Sequence, residues 1–194
     1  AFESVEIYAS DLDSDGDIDI VGSFGLHPAD DNGLDQIFWL TNDGNQIFSS
    51  PIIIAQDIYL TNSLFVADMD NDNDMDILAS SGAHYDPDDP SPDELFILVN
   101  DGSENFTYEL VQTGSSIGWE KVKAADLNND GFLDIVASAS DINRLYSFTY
   151  VGSEDNSLDF DGEVLSNNLT GDQALHLADI DLDADIDILY SLDN

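Results

Sequence analysis

"DLDSDGDIDIVGS", residues 11–23, is the stretch on which the fold turns. Asp11, Asp13, Asp15, Asp17 and Asp19 occupy alternate positions of nine residues, and the segment then becomes apolar. The same design returns as "DMDNDNDMDILAS" (68–80), "DLNNDGFLDIVAS" (126–138) and "DIDLDADIDILYS" (179–191). The first aspartates of successive loops lie 57, 58 and 53 residues apart. A period of this size points to a propeller, solenoid or array of repeats.

A second feature keeps the same register. "IFWLTNDGNQIF" (37–48) returns as "LFILVNDGSENF" (95–106) and, in degenerate form, as "LYSFTYVGSEDNSLDF" (145–160). Each unit is predicted to hold four short strands, in the first unit Ser4–Ala9, Asp19–Phe24, Gln36–Thr41 and Phe48–Ala55. β-Branched and aromatic residues fill these segments and no helical periodicity competes. The Asn-Asp-Gly between the third and fourth strands is a hairpin signal, since such residues tolerate positive φ. The expected fold is all-β, with β-propeller blades of four antiparallel strands; a β-solenoid would repeat at shorter intervals. One propeller segment is expected, with repeats at about 3–60, 61–118 and 119–171 and a partial fourth at 172–194. Propellers close with roughly four to eight blades. About three and a half therefore imply further blades, or copies of the chain, in a larger assembly.

Carboxylates crowded at about 4 Å repel by roughly 4 kcal/mol per pair at an effective dielectric near 20. A folded loop tolerates this when a cation sits among them. Written D-x-D-x-D-G-x-x-D, the loops offer ligands at positions 1, 3, 5 and 9. These are Asp11, Asp13, Asp15 and Asp19; Asp68, Asp70, Asp72 and Asp76; Asp126, Asn128, Asp130 and Asp134; Asp179, Asp181, Asp183 and Asp187. Position 7 varies (Asp17, Asp74, Phe132, Asp185), which suits a main-chain carbonyl ligand. An all-oxygen, flexible shell favours Ca²⁺, up to four ions, over Mg²⁺ or soft metals. Position 6 holds Gly16, Asn73, Gly131 and Ala184; glycine and asparagine accept the left-handed turn, whereas Ala184 is strained there. An EF-hand shares the opening residues but needs an acidic ligand at position 12, where this chain has Gly22, Ala79, Ala137 and Tyr190. Eighteen of the 34 aspartates fall in these four nine-residue loops, so the acidity is concentrated rather than spread as a solvated face.

The loops, the apolar strand after each and the following "NDG" hairpin resemble the FG-GAP or VCBS repeats of integrin-α-like β-propellers. The resemblance covers nearly the whole chain. It implies calcium in the hairpin between the first two strands of a blade, usually seven blades, and extracellular work as adhesion proteins, lectins or accessory modules of secreted enzymes. Departures are the repeat count, Asn73 and Ala184 at the glycine position, and the degenerate third turn.

Among 194 residues, 42 are acidic and 3 basic, a formal charge of −39. Nucleic acid and anionic membrane surfaces would be repelled, and no apolar run reaches the 18 or so residues of a span. Without cysteine there is no disulfide framework, so bound ions are expected to staple the fold. The opening "AFESVEIYAS" lacks the basic and apolar regions of a signal peptide and reads as a mature or trimmed end. The expected localisation is secreted or cell-surface, with a protein or carbohydrate ligand as partner. His27 and His84 hold equivalent places in acidic loops and are weighed as rim contacts against ordinary polar loop residues. Asn105 and Asn168 head glycosylation triplets, a pattern common by chance. Trp39, Trp119, Tyr146 and Phe148 read as inter-blade core rather than sugar platforms. No serine stands in a nucleophile elbow, and a lyase would find Tyr8 and Tyr59 with little basic support; the chain is expected not to be an enzyme.

Overall fold

A computed structural model describes residues 2–26, 34–82, 92–152, 157–168 and 174–191. Among them there is no helix, and strands pair antiparallel throughout. The first sheet runs in the order β1 (Phe2–Ser10), β2 (Asp19–Leu26), β3 (Leu34–Leu40), β4 (Ile52–Tyr59). The second contains β5 (Thr61–Ala67), β6 (Asp76–Ser81), β7 (Asp93–Asn100) and β8 (Phe106–Gly114). The third contains β9 (Trp119–Ala125), β10 (Asp134–Ala139), β11 (Arg144–Gly152) and β12 (Asp159–Ser166). β13 (Leu175–Ala178) and β14 (Asp187–Tyr190) form a two-stranded fourth sheet. These are consecutive propeller-type blades, each a meander closed by its own hairpins.

Burial follows from stacking blade on blade. β6 and β10 are buried at every residue, because each lies mid-sheet with a neighbouring blade on both faces. The outermost strands β8 and β12 are mostly exposed. First strands approach one another in sequence, β1 to β5, β5 to β9 and β9 to β13. One apolar cluster joins the first two blades through Leu12, Val21, Ile37 and Trp39 against Leu64, Ile77 and Phe96. A second joins the next pair through Met69, Leu78, Leu95 and Ile97 against Trp119, Val122 and Ile135. Trp39 and Trp119 are each 1% exposed, and Tyr146 and Phe148 meet the Trp119 ring edge-on at 5.4 and 5.9 Å. All four residues belong to the blade interior.

Two details differ from the sequence reading. The fourth strand of the first blade starts at Ile52 rather than Phe48. Phe48 forms only an isolated bridge to Asn42, and Pro51, which has no N–H to donate, delays the ladder. The second blade has no proline in this segment and β8 begins at Phe106. The Asn-Asp-Gly turns also work differently. Left-handed φ falls on Gly44 and Gln46, and on Gly102 and Glu104, not on the asparagines, because the loop is longer than a two-residue hairpin.

A pin between blades escaped the sequence reading. The buried Asp93 accepts hydrogen bonds at one oxygen from the N–H groups of Ile117 (2.6 Å) and Gly118 (2.9 Å), at the entry to β9. Asp35, 58 residues earlier, accepts the Thr61 N–H (2.7 Å) at the entry to β5. Each carboxylate therefore fixes where the next blade starts. Asp93→Ala leaves two sheltered donors without their acceptor and should cost about 2–4 kcal/mol of stability. Urea denaturation checks this; a loss near zero would show that the linker is held by something else.

Candidate metal centres

The four acidic loops share one hydrogen-bond frame. In each, the carboxylate at position 1 accepts the N–H of positions 5 and 6. Asp11 takes Asp15 and Gly16 at 3.1 and 3.0 Å, Asp68 takes Asp72 and Asn73 at 3.0 and 3.0 Å, Asp126 takes Asp130 and Gly131 at 3.1 and 2.8 Å, and Asp179 takes Asp183 and Ala184 at 3.2 and 3.1 Å. The carboxylate at position 5 then accepts the N–H of position 7 (Asp17, Asp74, Phe132 and Asp185, at 2.8–3.0 Å). This winding requires left-handed φ at position 6, at Gly16 (94°), Asn73 (76°), Gly131 (91°) and Ala184 (77°). It also requires it at position 4, which the sequence did not reveal: Ser14, Asn71, Asn129 and Leu182 have φ of 59–63°.

Position 9 does a different task. Asp19 is fully buried; one oxygen accepts the Leu12 N–H and the Trp39 indole N–H, the other the Asn42 N–H. Asp76 takes Met69 and Asn100, and Asp134 takes Leu127 and Tyr150, in the same way. Asp187 accepts the Ile180 N–H. In the first three blades the residue thus clamps its acidic loop to the end of the third strand or the residues just beyond it. Asn42 and Asn100 answer with their side-chain amides, donating to the carbonyls of Ile18 (3.0 Å) and Met75 (3.3 Å).

Three loops bring carboxylate oxygens within 4.8 Å of one another: Asp11, Asp13 and Asp15; Asp68, Asp70 and Asp76; Asp179, Asp181 and Asp187. In the third loop Asn128 replaces an acid, and its side-chain oxygen accepts the Asp130 N–H at 2.8 Å. Position-7 side chains are turned elsewhere. A β-carbon at Gly44 or Gly102 would collide with the Asp17 or Asp74 carboxylate, and Asp185 accepts a bond from Asn129. That leaves the position-7 carbonyl as the group these residues can offer. The donor set is oxygen alone, which fits a hard cation such as Ca²⁺ and offers nothing to a soft one.

Of the remaining sequence-predicted residues, His27 and His84 lie outside the described residues. Asn105 is exposed, but its side-chain nitrogen donates to both Asp101 oxygens and to the Ser103 carbonyl at 3.0–3.2 Å. Asn168 is exposed beyond β12.

With fold and loops in view, the class is a repeat protein of propeller-type blades whose first hairpin carries an acidic cage. Residues 11–79, from the first acidic loop through the second, match the FG-GAP-like repeat family model. Integrin alpha-PS3 of Drosophila melanogaster is 26% identical over 100 residues, covering 50% of this chain and 9% of that protein. The chain therefore corresponds to a small part of that relative.

The electrostatics yield a test. Burial, with Asp70 and Asp72 nearby, pushes the Asp76 carboxyl up to about 7. Burial likewise raises Asp13, Asp70 and Asp134, reinforced by neighbouring aspartates. A raised carboxyl binds more protons folded than unfolded, so stability falls as pH rises through the window from about 4 to about 7. The metal-free protein should melt higher at pH 5 than at pH 7 in the presence of chelator. The opposite slope, read by calorimetry, would show that burial and neighbouring charge do not disfavour these carboxylates' charged form.

Proposed function

We propose that this chain is a segment of an extracellular, calcium-stabilised β-propeller that serves as a binding scaffold on a cell surface or in a secreted assembly. The observation carrying the reading is one loop frame that recurs four times and in three of the loops gathers carboxylates around a common centre. The FG-GAP-like repeat and the integrin relative support an exterior setting and a protein ligand. Extracellular calcium modules typically bind at about 0.1–1 mM, so the ion would fill outside a cell and not in cytosol. The role is adhesive or structural and not catalytic.

Position 2 of the loops supports completion by further blades, from the same polypeptide or from copies assembled in a filament. Leu12 and Met69 are buried under the following blade, whereas their counterpart Ile180 is 54% exposed. Native mass spectrometry with and without calcium would show the assembly; a compact monomer in both conditions would remove the filament.

At calcium about ten times Kd each site contributes roughly 1.4 kcal/mol, so several together shift melting by about 10 °C or more. An unchanged melt on chelation would end the calcium reading. Turnover of an acidic polysaccharide would overturn the non-catalytic role, and a glycan-array hit would move the ligand from protein to carbohydrate.

A further inference from the structure

The acidic loops touch one another. Asn71, at position 4 of the second loop, donates its side-chain N–H to the carbonyl of Gly131 in the third at 2.8 Å. Asn129, at position 4 of the third, donates to the Asp185 carboxylate in the fourth at 2.8 Å. The first loop is joined by another route: Asn100 donates its side-chain N–H to the Leu12 carbonyl (3.1 Å) and its backbone N–H to Asp76 (2.8 Å). Three asparagines thus connect four loops in sequence.

The contacted groups are not peripheral to the cages. Gly131 C=O and Phe132 N–H are the two ends of one rigid peptide unit. That N–H holds the Asp130 carboxylate at 2.9 Å, so Asn71 in one loop restrains a ligand-bearing unit of the next. Asn129 does the equivalent for Asp185, whose N–H holds Asp183 at 3.0 Å. Asn71 and Asn129 are themselves in left-handed conformation (φ 63° and 60°), set by the winding of their own loops. A cation that orders one loop therefore orders the arm reaching into its neighbour.

We propose that Asn71 and Asn129 are positioning residues that couple the metal sites, so that each loop's affinity depends on the folded state of the loop before it. This rests on the calcium reading above. Generic electrostatics works the other way, because each bound cation weakens the field attracting the next. The sign and residue dependence of the coupling are therefore diagnostic.

Terbium, a calcium-sized oxygen-seeking ion, can be followed by luminescence sensitised through nearby tyrosine. Tyr150 is placed to report on the third loop: its N–H bonds Asp134 at 2.9 Å and its ring stacks on Phe132 at 4.8 Å. Tyr150→Phe identifies the component belonging to that loop. Asn71→Gly, which accepts the left-handed backbone without strain, leaves every third-loop ligand intact. It should weaken the third-loop component about three- to tenfold, the worth of one hydrogen bond. Asn129→Gly should weaken it as well, through reciprocity with the fourth loop. Third-loop affinity within twofold of wild type in Asn71→Gly overturns the coupling while the metal reading stands. Failure of the unaltered chain to take up either calcium or terbium overturns the metal reading, and the coupling with it.

Discussion

The buried carboxylate at position 9 of the acidic loop organises each of the first three blades. Asp19, Asp76 and Asp134 each accept N–H groups from both the acidic loop and the end of the third strand or the turn just beyond it. A buried charge is tolerated only when its lone pairs are satisfied, and these are met by backbone donors that cannot be had unless loop and turn are both in place. The first hairpin and the second become one unit, and the position-2 side chain in between (Leu12 or Met69) is driven beneath the next blade. Blade formation and blade stacking are thereby tied to the same residue.

That arrangement leaves the other aspartates of each loop facing one another. Backbone N–H groups at positions 5, 6 and 7 offset part of the repulsion, but burial acts against the charged form, as the raised Asp13, Asp70 and Asp134 carboxyls show. Protons and divalent ions are two ways of relieving the same stress. A hard cation does so without giving up the carboxylates as acceptors, which keeps the loop frame and the charge balance together.

The blades were legible because the period, the alternating acids and the apolar strand starts recur in register; the strands and the position-6 turns follow from residue type. Position 4 was not legible, because Ser14, Asn71, Asn129 and Leu182 share a conformation across three residue types, one of them leucine. Asn42 and Asn100 were read as turn formers, yet they serve as clamps on the Ile18 and Met75 carbonyls, a role set by tertiary approach and invisible in spacing. Asp35 and Asp93 did carry a signal, a 58-residue step at the start of the third strand in each of the first two blades. It was masked by abundance, since one more aspartate in so acidic a chain does not announce a buried pin.

The scarce positive charge is placed by the same repeat. Tyr8, Phe65, Lys123 and His176 pair with residues two beyond Asp19, Asp76, Asp134 and Asp187, so they occupy equivalent sites on the first strands of successive blades. The Lys123 ammonium sits 4.9 Å from the Phe65 ring centroid and 6.0 Å from that of Tyr8, with the Glu6 charge also acting on it. Glu6 in turn accepts the Leu64 N–H at 2.7 Å. Burial pulls the lysine pKa down while Glu6 holds it up, and the aromatic faces favour the charged form. Where the loops link blades through carboxylates and asparagines, the first strands link them through one cation lying on two rings. The two devices differ in kind as well as in place: asparagine hydrogen bonds join the loops, and a half-buried ammonium over aromatic rings joins the first strands.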